Sequence, residues 1–407
     1  MTHPELEISL HRRDTLSFAV QLRFHDPEQE AEQRDEAFPV RFDHDRLREL
    51  ALDPAAYGRL LGENLFSHAG VRSCLEKARA AVQLGERRLR LRLCIDRWSI
   101  ELHALRWETL RDPGTGRSLL MDESILFSRH LSSFDMRPVR LRSRTSLRAL
   151  VAIANPSDLG DYEPTGRALS PIDMTAEWQR ARVALEGVTI SELAGAQPVT
   201  LDAIINHLRD DVDVLYLVCH GALIGGEPRL WLEDEKGATK VTAGTDLVDG
   251  LARLIRLPRL VVLASCQSAG TGRSEDEGVL AALGPRLAEA GIPAVVAMQG
   301  NVFQRTLAGF LPVFFRELRK DGQIDRAMSE ARFAVRDEPD YWAPVLYTRL
   351  VNGRLWYEQR FSGAPGFDAW AGLISQIHGK KCVPIIGSGL LESFVGSRRE
   401  IACRWAS

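Results

Sequence analysis

Six cysteines are scattered over 407 residues, at 74, 94, 219, 266, 382 and 403, and no two form a Cys-x-x-Cys pair. That spacing carries no zinc-site signal and no disulfide framework. A chain of this length buries a large core without covalent staples, so its thiols are expected to be reduced, as in the cytoplasm. No apolar run approaches the roughly 18 residues a membrane helix needs. The start, Met1-Thr2-His3-Pro4-Glu5, lacks the basic region and apolar stretch of a secretory signal. Neither sign of charge dominates: 52 Lys and Arg against 55 Asp and Glu leave a formal −3, too little for a global field drawing nucleic acid or an anionic membrane. Internal repeats and long low-complexity tracts are missing as well. What remains is ordinary soluble composition, 45% hydrophobic and 26% charged, with room for two or three domains of roughly 100–200 residues each.

Residues 1–135 form a mixed α/β N-terminal region. Leu6 to Leu10 and Leu16 to Leu22 alternate apolar and polar residues, and Arg88 to Leu93 does so throughout, the pattern of a strand with one wet face. Helical spacing runs from Asp43 to Ala81, while the acidic stretch Asp26 to Glu36 reads as a surface loop. Arginines 87, 88, 90 and 92, and again 137, 140, 142, 144 and 148, raise a nucleic-acid reading. No aromatic interleaving supports a stacking platform, and a solvated strand face followed by a basic connector is the expectation.

From about residue 145 the strands become continuously apolar. Leu147 to Ala154 stops at Asn155-Pro156. Ser170-Pro171 is expected to open a helix, with serine as cap, that runs through Trp178 to Leu185. Thr200 caps another helix; Val212 to Val218 ends at Cys219-His220-Gly221, and Leu260 to Ala264 ends at Ser265-Cys266. A helix from Val279 stops at Gly291, and Ala294 to Met298 follows. Fully apolar strands alternating with helices imply an open, mainly parallel sheet with helices on both faces.

His220 and Cys266 each follow such a strand at its carboxyl end, the edge where open α/β sheets bind ligands. If the two strands are neighbours, right-handed crossover brings both residues to one edge. An imidazole beside a thiol of ordinary pKa near 8.5 lowers that pKa or takes the proton. Gly221 lets backbone approach a substrate carbonyl, and its N–H with that of Cys266 suits an oxyanion hole. The bland alternative is a buried core cysteine and an unrelated histidine; the residues alone leave it open, and they identify no third catalytic member. Cys219 is expected to turn away from the site, into the core.

The segments Val214-Leu215-Tyr216-Leu217-Val218-Cys219-His220-Gly221 and Leu260-Val261-Val262-Leu263-Ala264-Ser265-Cys266-Gln267-Ser268-Ala269-Gly270 resemble the signature of the CHAT domain, of the caspase/separase clan of cysteine endopeptidases. The likeness continues through Ala290 to Gln299, the helices around Phe314-Phe315 and Ala327-Met328, and Trp342 to Tyr347. Upstream, Leu105-Arg106-Trp107-Glu108-Thr109-Leu110 and Ser128-Arg129 resemble the segment that often precedes the core. The resemblance covers about residues 85–357 and implies a caspase-like fold, with the peptidase domain at 145–357. It also implies peptide-bond hydrolysis with Cys266 as nucleophile and His220 as proton carrier, a protein or peptide substrate, and no cofactor for that domain. Gln299 lies where this family shapes its primary specificity pocket; Asp276 and Glu277 are either selectors of a basic substrate residue or a solvated acidic loop.

After a connector near 358–366, Lys381 to Glu392 reads as a strand entering a Gly-rich turn, Gly387-Ser388-Gly389, that can present backbone N–H groups to a phosphate. It resembles the opening of a sirtuin-like (SIR2) NAD-binding domain; 367–407 is expected to be a truncated start of one. Three functions compete. A regulated bacterial endopeptidase in defence or cell death, awaiting an activating partner or sensor domain, leads because the pair is intact. A non-catalytic caspase-like scaffold and a regulatory module of an NAD-consuming effector are the alternatives.

Overall fold

Two kinds of strand, alternating and wholly apolar, meet in one sheet. The computed structural model describes residues 3–14, 17–27, 33–34, 37–84, 87–96, 99–131, 133, 135, 137–139, 141–164, 168–264, 279–300, 302–357 and 370–379. The chain divides into two compact units, Met1–Glu358 and Gln359–Ser407. The first half of the larger unit comprises β1 (Glu5–Arg12), β2 (Phe18–His25), the short β3 (Gln33–Arg34) and β4 (Phe38–Val40), α1 (His44–Glu49), α2 (Pro54–Leu65), α3 (Ala69–Leu84), β5 (Leu89–Ile95), α4 (Ile100–His103) and β6 (Ile125–His130). Alternation puts Leu6, Ile8 and Leu10 of β1 and Leu89, Leu91 and Leu93 of β5 in one buried cluster under α2 and α3.

The second half runs through β7 (Arg142–Ser143), β8 (Arg148–Ile153), α5 (Met174–Ala184), β9 (Thr189–Leu193), α6 (Leu201–Leu208), β10 (Val214–Val218), β11 (His220–Ile224), β12 (Glu227–Glu233), β13 (Thr239–Ala243) and α7 (Gly244–Ala252). It continues with β14 (Leu260–Ala264), α8 (Val279–Glu289), β15 (Ala294–Met298), α9 (Gln304–Asp321), α10 (Ile324–Ala334), β16 (Pro344–Thr348) and β17 (Trp356–Tyr357). In the smaller unit the described element is α11 (Trp370–His378).

Among the described residues twelve strands share one sheet, ordered β3-β2-β1-β5-β6-β16-β15-β14-β10-β8-β9, with β4 on β2. The block β15-β14-β10-β8-β9 is parallel, and every residue of β10, β14 and β15 is buried. Residues from α5, α9 and α10 cover one face; residues from α6, α7 and α8 cover the other. This is the open α/β sheet with two covered faces that continuous apolar strands require. β16 runs antiparallel to β15 and parallel to β6. Only two register pairs, Tyr347 with Arg129 and Thr348 with His130, join β16 to β6. No helix among the described residues is long and apolar enough to cross a membrane.

Three local expectations fail for physical reasons. β5 has no wet face: Arg90 and Arg92 are 5% and 4% exposed. Arg90 Nε donates to Asp325 Oδ2 at 2.5 Å, Arg92 Nη1 to Glu5 Oε1 at 2.5 Å, and both arginines also reach carbonyls of residues 350–352. Period-two alternation cannot tell water from a buried ionic layer. Asp26 is likewise buried, not part of a solvated loop, and accepts two bonds of 2.8 Å from Arg87. The basic connector is also engaged: Arg142 pairs with Asp211 and Asp213, and Arg137 with Asp135. Third, α5 begins at Met174, capped by Asp173, whose carboxylate accepts from Ala176 N at 2.9 Å. Ser170 and Pro171 precede it as loop.

Candidate functional site

β10 and β14 are adjacent, parallel and in register to their last residues, with Val218 opposite Ala264. Their carboxyl ends therefore lie on one edge. His220 begins β11 two residues past Val218, and in the sequence Cys266 comes two residues past Ala264. Cys266 lies outside the described residues, as do Asp276 and Glu277 of the proposed pocket and Gly387, Ser388 and Gly389 of the tail.

β11 turns out of the main sheet into a hairpin with β12, His220 opposite Trp231 and Gly221 opposite Leu230. The turn is Gly225-Gly226, with φ of 62° and 79°; a two-residue hairpin turn of this hand needs positive φ at both positions, which glycine adopts at no steric cost. His220 is 5% exposed and Trp231 2%. Trp231 packs with Leu159 and Ala222, and Tyr162 and Leu169 close around them, so the imidazole stands beside an apolar wall. Burial pushes its pKa below the ordinary 6.5, a hydrogen bond to Ser170 opposing.

That bond is the contact sequence reasoning missed. His220 Nε2 lies 2.8 Å from the Ser170 carbonyl oxygen. A carbonyl only accepts, so Nε2 carries a proton and, in the neutral ring, Nδ1 carries the lone pair. The carbonyl is held in place from behind. Ile172 N donates to Asn155 Oδ1 at 2.8 Å, and Asn155 N to Glu233 Oε1 at 2.7 Å. The other oxygen of this buried carboxylate accepts from Val199 N at 2.8 Å. The same loop is tied to the β12–β13 turn where Asp158 Oδ1 accepts from Thr239 N and Oγ1.

Cys219, next to the histidine, faces the opposite way, into the cluster under α6 to α8. Burial pushes its thiol up to about 12, so it stays protonated. Gln299 follows β15 and is 4% exposed. Its amide donates to the carbonyls of Ala104 and Leu105 at 2.8 and 3.4 Å, and its oxygen accepts from Arg129 Nη2 at 2.7 Å. Arg129 also donates to Glu108, to the carbonyls of His103 and Leu105, and to the Tyr347 hydroxyl. Arg332 comes within 3.7 Å of Glu108 and donates to the Pro344 carbonyl. Burial, reinforced by the like charge of Arg129 and opposed by Glu108, lowers Arg332 to about 10. Among the described residues no group of three or more His, Cys, Asp or Glu comes together to hold a metal ion.

No curated protein matches the chain significantly. Solved structures similar to it include Saccharomyces cerevisiae separase with securin, at 15% identity and a TM-score of 0.37 over 64% of this chain and 15% of that one. The Drosophila initiator caspase Dronc has 13% identity and a TM-score of 0.31 over 51% and 84%. The complex of Porphyromonas gingivalis RgpB pro- and mature domains has 12% identity and a TM-score of 0.39 over 71% and 70%. The chain thus spans a small fraction of the separase length. The CHAT domain model matches residues 56–349, from the second helix of the N-terminal half to the residue after β16, and the chain belongs to the CHAT domain family.

Proposed function

We propose that the chain is a cysteine endopeptidase acting on a protein or peptide substrate, with Cys266 as nucleophile and His220 as general base and acid. The observation that carries this is His220 itself. It sits at the carboxyl end of β10, its Nε2 proton is committed to Ser170, and the neighbouring in-register strand leads in sequence to Cys266. Nδ1 takes the thiol proton as sulfur attacks the scissile carbonyl carbon. The N–H groups of Gly221 and Cys266 receive the developing oxyanion. The same nitrogen then returns the proton to the leaving amine, and water releases the acyl group from sulfur. A reducing compartment such as the cytoplasm suits this thiol chemistry.

The test pairs wild type with Cys266→Ala, read by a peptide library and a thiol-directed covalent probe. Cleavage and labelling at Cys266 that both vanish in the variant support the assignment. A wild-type protein that neither cleaves nor labels at Cys266, with or without candidate partners, leaves the scaffold reading in its place. For the tail, a separate proposal is that Gly387-Ser388-Gly389 contributes to an NAD site; calorimetric titration with NAD that gives no binding heat sinks it.

A further inference from the structure

The sequence motifs around Glu108 and Arg129 stand 21 positions apart, yet in the fold they form one buried pair that the hydrolytic mechanism does not use. Their side chains are 0% and 2% exposed. The pair lies beside a narrow join of the sheet, because Arg129 occupies one of the two register pairs between β6 and β16. From there Arg129 reaches across β16 to Gln299, and the Gln299 side chain returns to the backbone of Ala104 and Leu105. Gln299 N in turn donates to the Ala343 carbonyl at 2.7 Å. The end of β15 is therefore held from the N-terminal half by side chain and from the C-terminal half by backbone. In the sheet, β15 is two strands from β10, about 10 Å at ordinary strand spacing, which puts its end within reach of a peptide bound at His220.

We propose that Glu108 is a positioning residue which, by orienting Arg129 and through it Gln299, fixes the substrate-binding wall at the end of β15. This rests on the peptidase reading above. Glu108 touches no reacting atom in that reading; its carboxylate holds the guanidinium in the plane that meets the Gln299 oxygen. The N-terminal half is then part of the binding machinery, because the residue that sets the wall belongs to it.

The experiment compares wild type, Glu108→Gln, Gln299→Met and the double variant. Glu108→Gln leaves two guanidinium groups facing a neutral amide and risks misfolding. Gln299→Met cuts the same link while keeping the Glu108–Arg129 pair, so it serves as the second route. Each single variant is expected to raise KM for a cleaved peptide about tenfold with kcat within about twofold, and the double variant to add nothing further. Amide hydrogen exchange at residues 297–300 is expected to quicken in each. A fall in kcat at constant KM, effects that multiply in the double variant, or unchanged exchange overturns the proposal. A wild-type protein that cleaves no peptide overturns the peptidase reading instead, and the exchange comparison alone then decides whether Glu108 governs the end of β15.

Discussion

The carbonyl of Ser170 does to His220 what a carboxylate does in many catalytic dyads: it selects the tautomer and aims the ring, but adds no charge. Without a charge to stabilise imidazolium, burial governs, and the ring favours its neutral, proton-accepting form. In Cys266→Ala, where no thiolate can couple to the ring, His220 is expected to titrate below 6.5 with Nε2 protonated above that pKa. Nitrogen-15 NMR reads both quantities; a pKa above 6.5 or an Nδ1–H tautomer contradicts the geometry. His220 stands out in the sequence as a candidate because it follows an apolar strand at its carboxyl end, the edge where open α/β sheets bind ligands. Ser170 was not, since a backbone carbonyl has no residue signature, and Ser-Pro imitates a helix start. Asp173, three residues on, takes the cap, leaving the Ser170 carbonyl to His220.

At the scale of elements, the apolar parallel strands could be read from composition alone because two covered faces leave no place for a polar residue. The Arg-rich β5 could not, since its charges meet Glu5, 87 positions away, and Asp325 and the 350–352 carbonyls, more than 230 positions away. The same limit hid the meeting of Arg129 with Gln299, 170 positions apart. Helix α2 approaches the segment carrying Glu108 so closely that a Cβ on Gly58 would lie 1.8 Å from the Thr109 carbonyl oxygen, and one on Gly62 2.2 Å from that of Arg111. Backbone cannot retract as a flexible side chain does, so Gly58→Ala is expected to cost about 1–3 kcal/mol or more. Gly160→Ala, with nothing within 4 Å, is expected to stay within about 0.5 kcal/mol. Urea unfolding measures both, and equal losses at the two sites rule out the close-approach account.

Across the whole molecule, burial lowers His103 and His130 to about 4, and shifts His3 and His220 down as well. Unfolded, each titrates at the ordinary 6.5. As pH falls through 6.5 the unfolded chain therefore binds protons that the folded chain refuses, and stability declines until the native rings titrate near 4. The slope is at most about 1.4 kcal/mol per pH unit for each fully shifted histidine. Urea midpoints are expected to drop between pH 7 and pH 4.5, and less steeply in His103→Asn/His130→Asn. A flat profile in wild type refutes this.

The two-rung join between β6 and β16 also links strands made far apart in time during synthesis. β6 ends at residue 130, while the strand that covers it ends at residue 348. If the N-terminal half pairs its strands as it emerges, then for the time a ribosome takes to add some two hundred residues, on the order of ten seconds or more, it displays a bare strand edge open to unwanted pairing. Arg129 and His130, polar residues at the end of that edge, are then its guards before they become its mortar.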